Sequence, residues 1–259
     1  MEQTTARYMF DQRRHDERER LTSMEDLWDP GTKAIIEALG IRPGWRCLEI
    51  GAGAGSVARW LAEKVAPDGK VLATDISTLH LDGVAAPNLE VRRHDILTDP
   101  LPDSHFDLVH ARLVVEHLGR RALERAAAAV RPGGWLLLED HEWGAALSHP
   151  SGERYRRSID AITKYMAATA GYDPGYGRRL VHELEAAGLR DVGAAGRIRV
   201  YRGGTSATTF LRLSVESLGA GLMASGVLVA ADHAWMLRAL DDPDSVFFTP
   251  CIAAWGRKR

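Results

Sequence analysis

Cysteine is scarce. Cys47 and Cys251 are the only two, and most of the chain separates them. That argues against a disulfide framework or a cysteine-built zinc site and fits a reducing compartment. Long hydrophobic runs are missing as well. The longest uncharged stretch lies between Glu216 and Asp232, is interrupted by Gly219, Gly221 and Gly226, and is too short for a membrane span of about 20 residues. Neither sign of charge dominates: 33 Lys and Arg stand against 35 Asp and Glu, a net charge of −2. Such a balance does not suggest a nucleic-acid binder, and Arg257-Lys258-Arg259 is too short for a phosphate-tracking groove. A secretory signal needs an apolar core, whereas residues 11–20 carry four Arg and four acids. The ten His show no ligand spacing such as H-x-x-x-H beside an acid, so no metal site is expected. Together these absences lead us to expect a cytoplasmic protein without a membrane or nucleic-acid partner; oligomeric state is not legible.

The remaining composition is ordinary for a globular chain. With 259 residues, 45% apolar and 26% charged, one α/β domain is expected. Tyr8 to Leu27 reads as a polar helix, and Asp29-Pro30 as the start of a second one through Ile36 and Leu39. From Trp45 the pattern alternates. Short strands are expected at 47–50, 70–74, 89–92, 106–110 and 135–139. Helices are expected at 56–64 and 120–130, with a helix-like piece before Pro87. This alternation predicts a parallel sheet with crossover helices. Beyond Asp140 the regularity weakens: helices at 153–169 and 178–187, a strand at 191–201, a mostly helical stretch at 206–240 and a last strand at 246–255. The division is a cap at 1–40, a core at 45–140, substrate-side helices and lid at 141–240 and a closing strand at 246–256.

Leu48-Glu49-Ile50-Gly51-Ala52-Gly53-Ala54-Gly55 is a strand running into a glycine turn that opens a helix. Glycines let the backbone bend sharply and let a ligand approach the main chain. Ser56 stands where a dinucleotide fingerprint wants its third glycine. Asp75 closes the second strand, where a carboxylate can accept both ribose hydroxyls. Asp95 follows the third, where it can accept a hydrogen bond from an adenine amino group, with Ile76 and Ile96 clamping the ring. Acids at successive strand ends beside a glycine turn describe a nucleoside pocket at the carboxyl edge of the sheet.

With these segments, Phe106-Asp107-Leu108-Val109-His110-Ala111 and Val130-Arg131-Pro132-Gly133-Gly134-Trp135-Leu136, residues 45–140 resemble a class I S-adenosylmethionine-dependent methyltransferase of the small-molecule kind. The resemblance implies a Rossmann-like, seven-stranded, mostly parallel sheet with its last strand antiparallel. It implies cofactor contacts at Glu49, Gly51, Gly53 and Gly55, with Gly51 and Gly53 passing the methionine part of S-adenosylmethionine. It implies Asp75 at the ribose, Asp95 and Ile96 at the adenine, and His110 and Ala111 flanking the sulfonium, with Ile76 also at the cofactor. The implied reaction is methyl transfer to O, N or C of a small molecule.

For the chemistry, Asp140-His141-Glu142-Trp143 follows the fifth strand, on the edge where the methyl should face its acceptor. His141 is the candidate general base, and Asp140 the group that orients it or binds a cationic substrate. Trp28, Trp143 and Trp235 hint at an aromatic or apolar acceptor, such as a secondary metabolite. Tyr8, His15 and His233 are further cap or pocket candidates. Two readings compete: a repurposed cofactor-binding protein that catalyses a different reaction, and a methyltransferase acting on a macromolecule. A nicotinamide oxidoreductase fits less well, given Ser56 and Asp95.

Overall fold

The computed structural model describes residues 9–259, so the Tyr8 candidate lies outside the described residues. One helix, α1 (Glu17–Ala38), opens the fold. The expected break at Asp29-Pro30 does not occur, and Pro30 sits inside α1. Proline removes a backbone donor and crowds the preceding turn, but tertiary bonds hold this stretch. Arg112 donates to Asp29 and to the Thr32 hydroxyl, at 2.9 Å each, and Lys33 pairs with Asp29 at 2.9 Å.

The alternating region follows as β1 (Arg46–Ile50), α2 (Ser56–Val65), β2 (Lys70–Asp75), β3 (Leu89–Arg93) and β4 (Phe106–Arg112). Between β2 and β3 the helix-like piece is instead a series of turns, with Gly83 at φ +85°. Asp82-Gly83 and Pro87 favour that outcome over a helix. A four-residue helix that sequence reasoning missed, α3 (Val115–Leu118), precedes α4 (Arg120–Ala129). Strand β5 (Val130–His141) starts earlier and ends later than expected, because Val130 pairs with Phe106 before an irregularity and the regular ladder resumes at Trp135.

The second half adds the short β6 (Leu147–His149), α5 (Gly152–Ala170), α6 (Leu180–Ala186), β7 (Arg190–Arg202), α7 (Ser206–Ala224), α8 (Ala230–Asp241) and β8 (Val246–Arg257). The sheet has eight strands rather than seven, in the order β3-β2-β1-β4-β5-β8-β6, with β7 also paired to β8. The first five strands run parallel; β8 is antiparallel to β5, β6 and β7. Five parallel strands therefore end at one edge, where their loops must meet.

Apolar side chains fill both faces of the sheet. One cluster joins Leu48, Val109, Leu136 and Leu138 to the alanine face of α4. The other joins Cys47, Val71, Leu108 and Leu137 to Val57 and Leu61 of α2. A third cluster unites α1, α5, α7 and α8 above the carboxyl edge, around Trp28, Tyr155, Ile159, Leu218 and Met236. Leu137 is fully buried, so Leu137→Ala should cost about 2–5 kcal/mol. Urea unfolding is expected to show that loss in the midpoint; a midpoint unchanged from the parent would mean the site repacks freely.

Candidate active site

The glycine turn takes its shape from positive φ. Gly51, Gly53 and Gly55 lie at +70°, +60° and +88°. At Gly53 the nearest neighbour of an added Cβ is Glu25 Oε1 at 3.7 Å, so a ligand can approach the backbone there. Gly55 plays another part: it caps α2 in a left-handed conformation, and an added Cβ would meet Val84 at 2.8 Å.

Carboxylates fasten each loop of this edge. Asp75 accepts from the Gly53 and Ser77 amides at 3.0 Å each. Burial pushes its carboxyl above the ordinary value, against those hydrogen bonds. Asp95 accepts from Leu97 N at 2.8 Å. From α1, Glu25 Oε1 accepts from Ala54 N at 3.0 Å and Ser56 N at 3.3 Å, satisfying donors at the start of α2. Asp29 takes the Ser56 hydroxyl at 3.1 Å and the Arg112 guanidinium. Helix α1 is thus tied to both the glycine turn and the end of β4.

Under this roof lies one cavity of about 1650 Å³, counting its open mouth. Its sheet-side wall contains Gly51, Gly53, Asp75, Ile76, Asp95 and Ile96, six of the ten residues expected at the cofactor. The other four do not line it. Gly55 is the helix cap just described. Glu49 and His110 are buried side by side: His110 Nδ1 lies 2.7 Å from Glu49 Oε2, and its Nε2 lies 3.1 Å from Glu139 Oε1. Both ring nitrogens are committed inside the sheet. Ala111 is buried against the α4 side. The expected placement of His110 and Ala111 at the sulfonium is therefore corrected. Residues beyond the strand end, Leu113 and Val114, line the cavity instead. Leu113 holds φ +57°, a left-handed conformation unusual for leucine, at a cost of about 1–3 kcal/mol.

The far half of the cavity is apolar, lined by Ile159, Ile162 and Met166 of α5 and by Phe210, Leu211 and Leu218 of α7. Between the halves stands His141, in the cavity wall and 2% exposed. Trp143, Trp28 and Phe210 surround its ring at centroid distances of 4.7, 5.8 and 6.0 Å. The partner that sequence reasoning missed is Glu116 on α3. Its Oε1 lies 3.3 Å from His141 Nδ1, and its Oε2 accepts the His141 main-chain N–H at 2.9 Å. The signal was hidden because α3 is only four residues long.

Asp140 does not line the cavity. Its carboxyl accepts from Glu116 N at 3.2 Å and so anchors α3. Burial and the neighbouring Glu116 charge push Asp140 well above the usual carboxylate range. Burial also opposes charge on Glu116, but His141 and its main-chain N–H outweigh it and hold that carboxyl below the range. The two carboxyls are pushed in opposite directions, as expected where like charges crowd. His15 is exposed before α1, and His233 is occupied at 3.2 Å from the Val215 carbonyl. Trp235 lies under the Arg154 guanidinium, away from the cavity wall.

A glycine turn and acids at the carboxyl edge of a parallel sheet make an arrangement suited to a nucleoside. Residues 48–138 match the model of the methyltransferase domain family. The chain is 38% identical over 145 residues to Methyltransferase str2 of Strobilurus tenacellus, covering 54% of this chain and 52% of that protein. It is 32% identical over 131 residues to the ubiquinone/menaquinone biosynthesis C-methyltransferase UbiE of Laribacter hongkongensis, covering 44% and 52%. The chain thus spans about half the length of these curated relatives. Among solved structures, the fold is shared with phosphoethanolamine N-methyltransferase 2 of Haemonchus contortus in complex with S-adenosyl-L-methionine. That comparison has a TM-score of 0.57 and 17% identity, over 95% of this chain and 59% of that one.

Replacing Arg112 with Met removes the cation that joins α1 to the strand end and leaves Asp29 with Lys33 as its ion-pair partner among the described residues. The α1 amides are expected to exchange hydrogen at least tenfold faster. Unchanged exchange would show that apolar packing alone seats the helix.

Proposed function

We propose that the protein transfers a methyl group from S-adenosylmethionine to a small, apolar, ring-bearing molecule. The observation that carries this reading is the single cavity that joins an edge fitted to a nucleoside with a chamber of aliphatic and aromatic side chains. The residues present fit the cofactor. Asp75 offers carboxylate oxygens to ribose hydroxyls, Asp95 offers an acceptor for an adenine amino group, and Ile76 and Ile96 offer apolar faces for the ring. The backbone at Gly53 is open to the methionine part. When bound, the cofactor supplies a methyl already activated on a sulfonium.

What remains for the protein is alignment and exclusion of water, which can supply several kcal/mol. Helix α1 covers the glycine turn, while α5 and α7 wall the acceptor end. A chamber so enclosed by helices suits a small molecule better than a macromolecular chain. A relative named for quinone biosynthesis supports a ring-bearing, apolar acceptor.

Asp75→Ala removes hydrogen bonds to a charged group worth about 1.5–3 kcal/mol each. Calorimetry with S-adenosylmethionine is expected to show at least tenfold weaker binding than the parent. Equal affinity would remove Asp75 from the ribose, and tighter binding of NAD than of S-adenosylmethionine would falsify the whole reading.

A further inference from the structure

Strand β7 is open along one side. It pairs with β8, and no second strand among the described residues pairs with it. Alternate residues of such an edge turn their N–H and C=O groups outward, a template for another chain. Open edges are ordinarily short, bulged or broken by proline. β7 is the longest strand of the sheet, with 13 residues, no proline, and a single irregularity at its start, between Arg190 and Gly193. Past that point Ile198, Arg199 and Val200 are exposed in succession. Ile198 is 61% and Val200 58% exposed, among the largest values for apolar side chains in the described residues. An edge whose arginines served only to repel other chains has no use for them.

The two faces of this edge differ. Residues directly opposite in a ladder share a face. Val200 stands opposite Phe248, and Phe248 opposite Leu147, which is 51% exposed. An apolar row therefore crosses β6, β8 and β7 and stops at the open side. Arg199 lies on the other face, in a groove it shares with Leu27, Trp28 and Gly31 of α1. Arg197 shares that face but is committed to Glu139, whereas no acid pairs with Arg199 among the described residues. Over its length β7 carries four Arg against one Asp, although the chain as a whole carries −2. A second copy of the chain is a poor occupant for such an edge. The antiparallel register that sets Ile198 opposite Val200 also sets Arg199 opposite Arg199, and like charges directly opposite are destabilising. We infer that β7 takes an extended segment of another protein as an added strand, one that alternates acidic and apolar residues. Its acids meet Arg199 on the α1 side. Its apolar side chains continue the row from Leu147 through Val200, and its main chain satisfies the open N–H and C=O groups.

The test titrates the full chain into fluorescein-labelled nonapeptides and reads binding by anisotropy. One peptide alternates valine and glutamate, and another alternates valine and lysine. Two further forms of the glutamate peptide are N-methylated, either at the valines or at the glutamates. The glutamate peptide is expected to bind, and the lysine peptide to bind at least about tenfold more weakly. Of the two N-methylated forms, one is expected to lose binding and the other to keep it, since only alternate amides of an added strand face β7. Arg199→Glu should weaken the glutamate peptide by about tenfold and strengthen the lysine peptide, a reversal that loss of structure alone cannot produce. Should that variant fail to fold, the N-methylated pair against the parent still decides. Equal binding of the glutamate and lysine peptides by the parent, binding of neither, or equal effects of the two N-methylations would each overturn the inference. So would a dimer in sedimentation of the free chain that Val200→Lys dissociates, because a second copy would then hold the edge.

Discussion

A buried carboxylate must find donors, and this constraint shapes the whole carboxyl edge of the sheet. Each acid there is satisfied largely by main-chain amides of a neighbouring loop. Asp75 reaches to Gly53, Glu25 to Ala54 and Ser56, Asp140 to Glu116, and Glu116 back to His141. The loops after β1, β2, β4 and β5 are therefore knitted into one rim. Pre-formed loops of this kind keep a site within the tolerance that alignment of reacting atoms demands.

The same rim divides the cavity by chemistry. On the β1–β3 side, carboxylate oxygens and open backbone face the cavity. On the β5 side, Glu116 is tied to the His141 ring and main chain, and the surrounding wall is mostly aliphatic and aromatic. Helix α1 belongs to both halves. Its Glu25 and Asp29 hold the glycine turn, while Leu21 and Met24 join the wall. The same helix therefore covers both ends of the cavity.

How much of this was legible in the sequence depended on distance along the chain. The glycine turn, Asp75, Ile76, Asp95 and Ile96 sit at ends of strands whose apolar runs announce them, and all but Gly55 and Glu49 of that group reach the cavity. His110 was misplaced because a strand residue near the edge can turn either way. Two carboxylates drew its ring into the sheet: Glu49, in register with it on β1, and Glu139, two residues further along β5. Glu116 was invisible because its role depends on α3, too short to show a helical period, meeting the end of β5 from 25 residues away. The continuity of α1 through Pro30 was equally hidden, since Arg112 supplies the bonds that hold that turn from far along the chain. His141 was found by position alone, and its orientation came only from the fold.

The most direct measurement is a crystal structure of the protein grown with S-adenosylhomocysteine. The ribose hydroxyls should lie within hydrogen-bond distance of Asp75, with the adenine against Ile76 and Ile96. The sulfur should face the side of the cavity where His141 stands. Density for the nucleoside elsewhere, or a sulfur turned away from His141 toward α2, would contradict the division of the cavity on which the account rests.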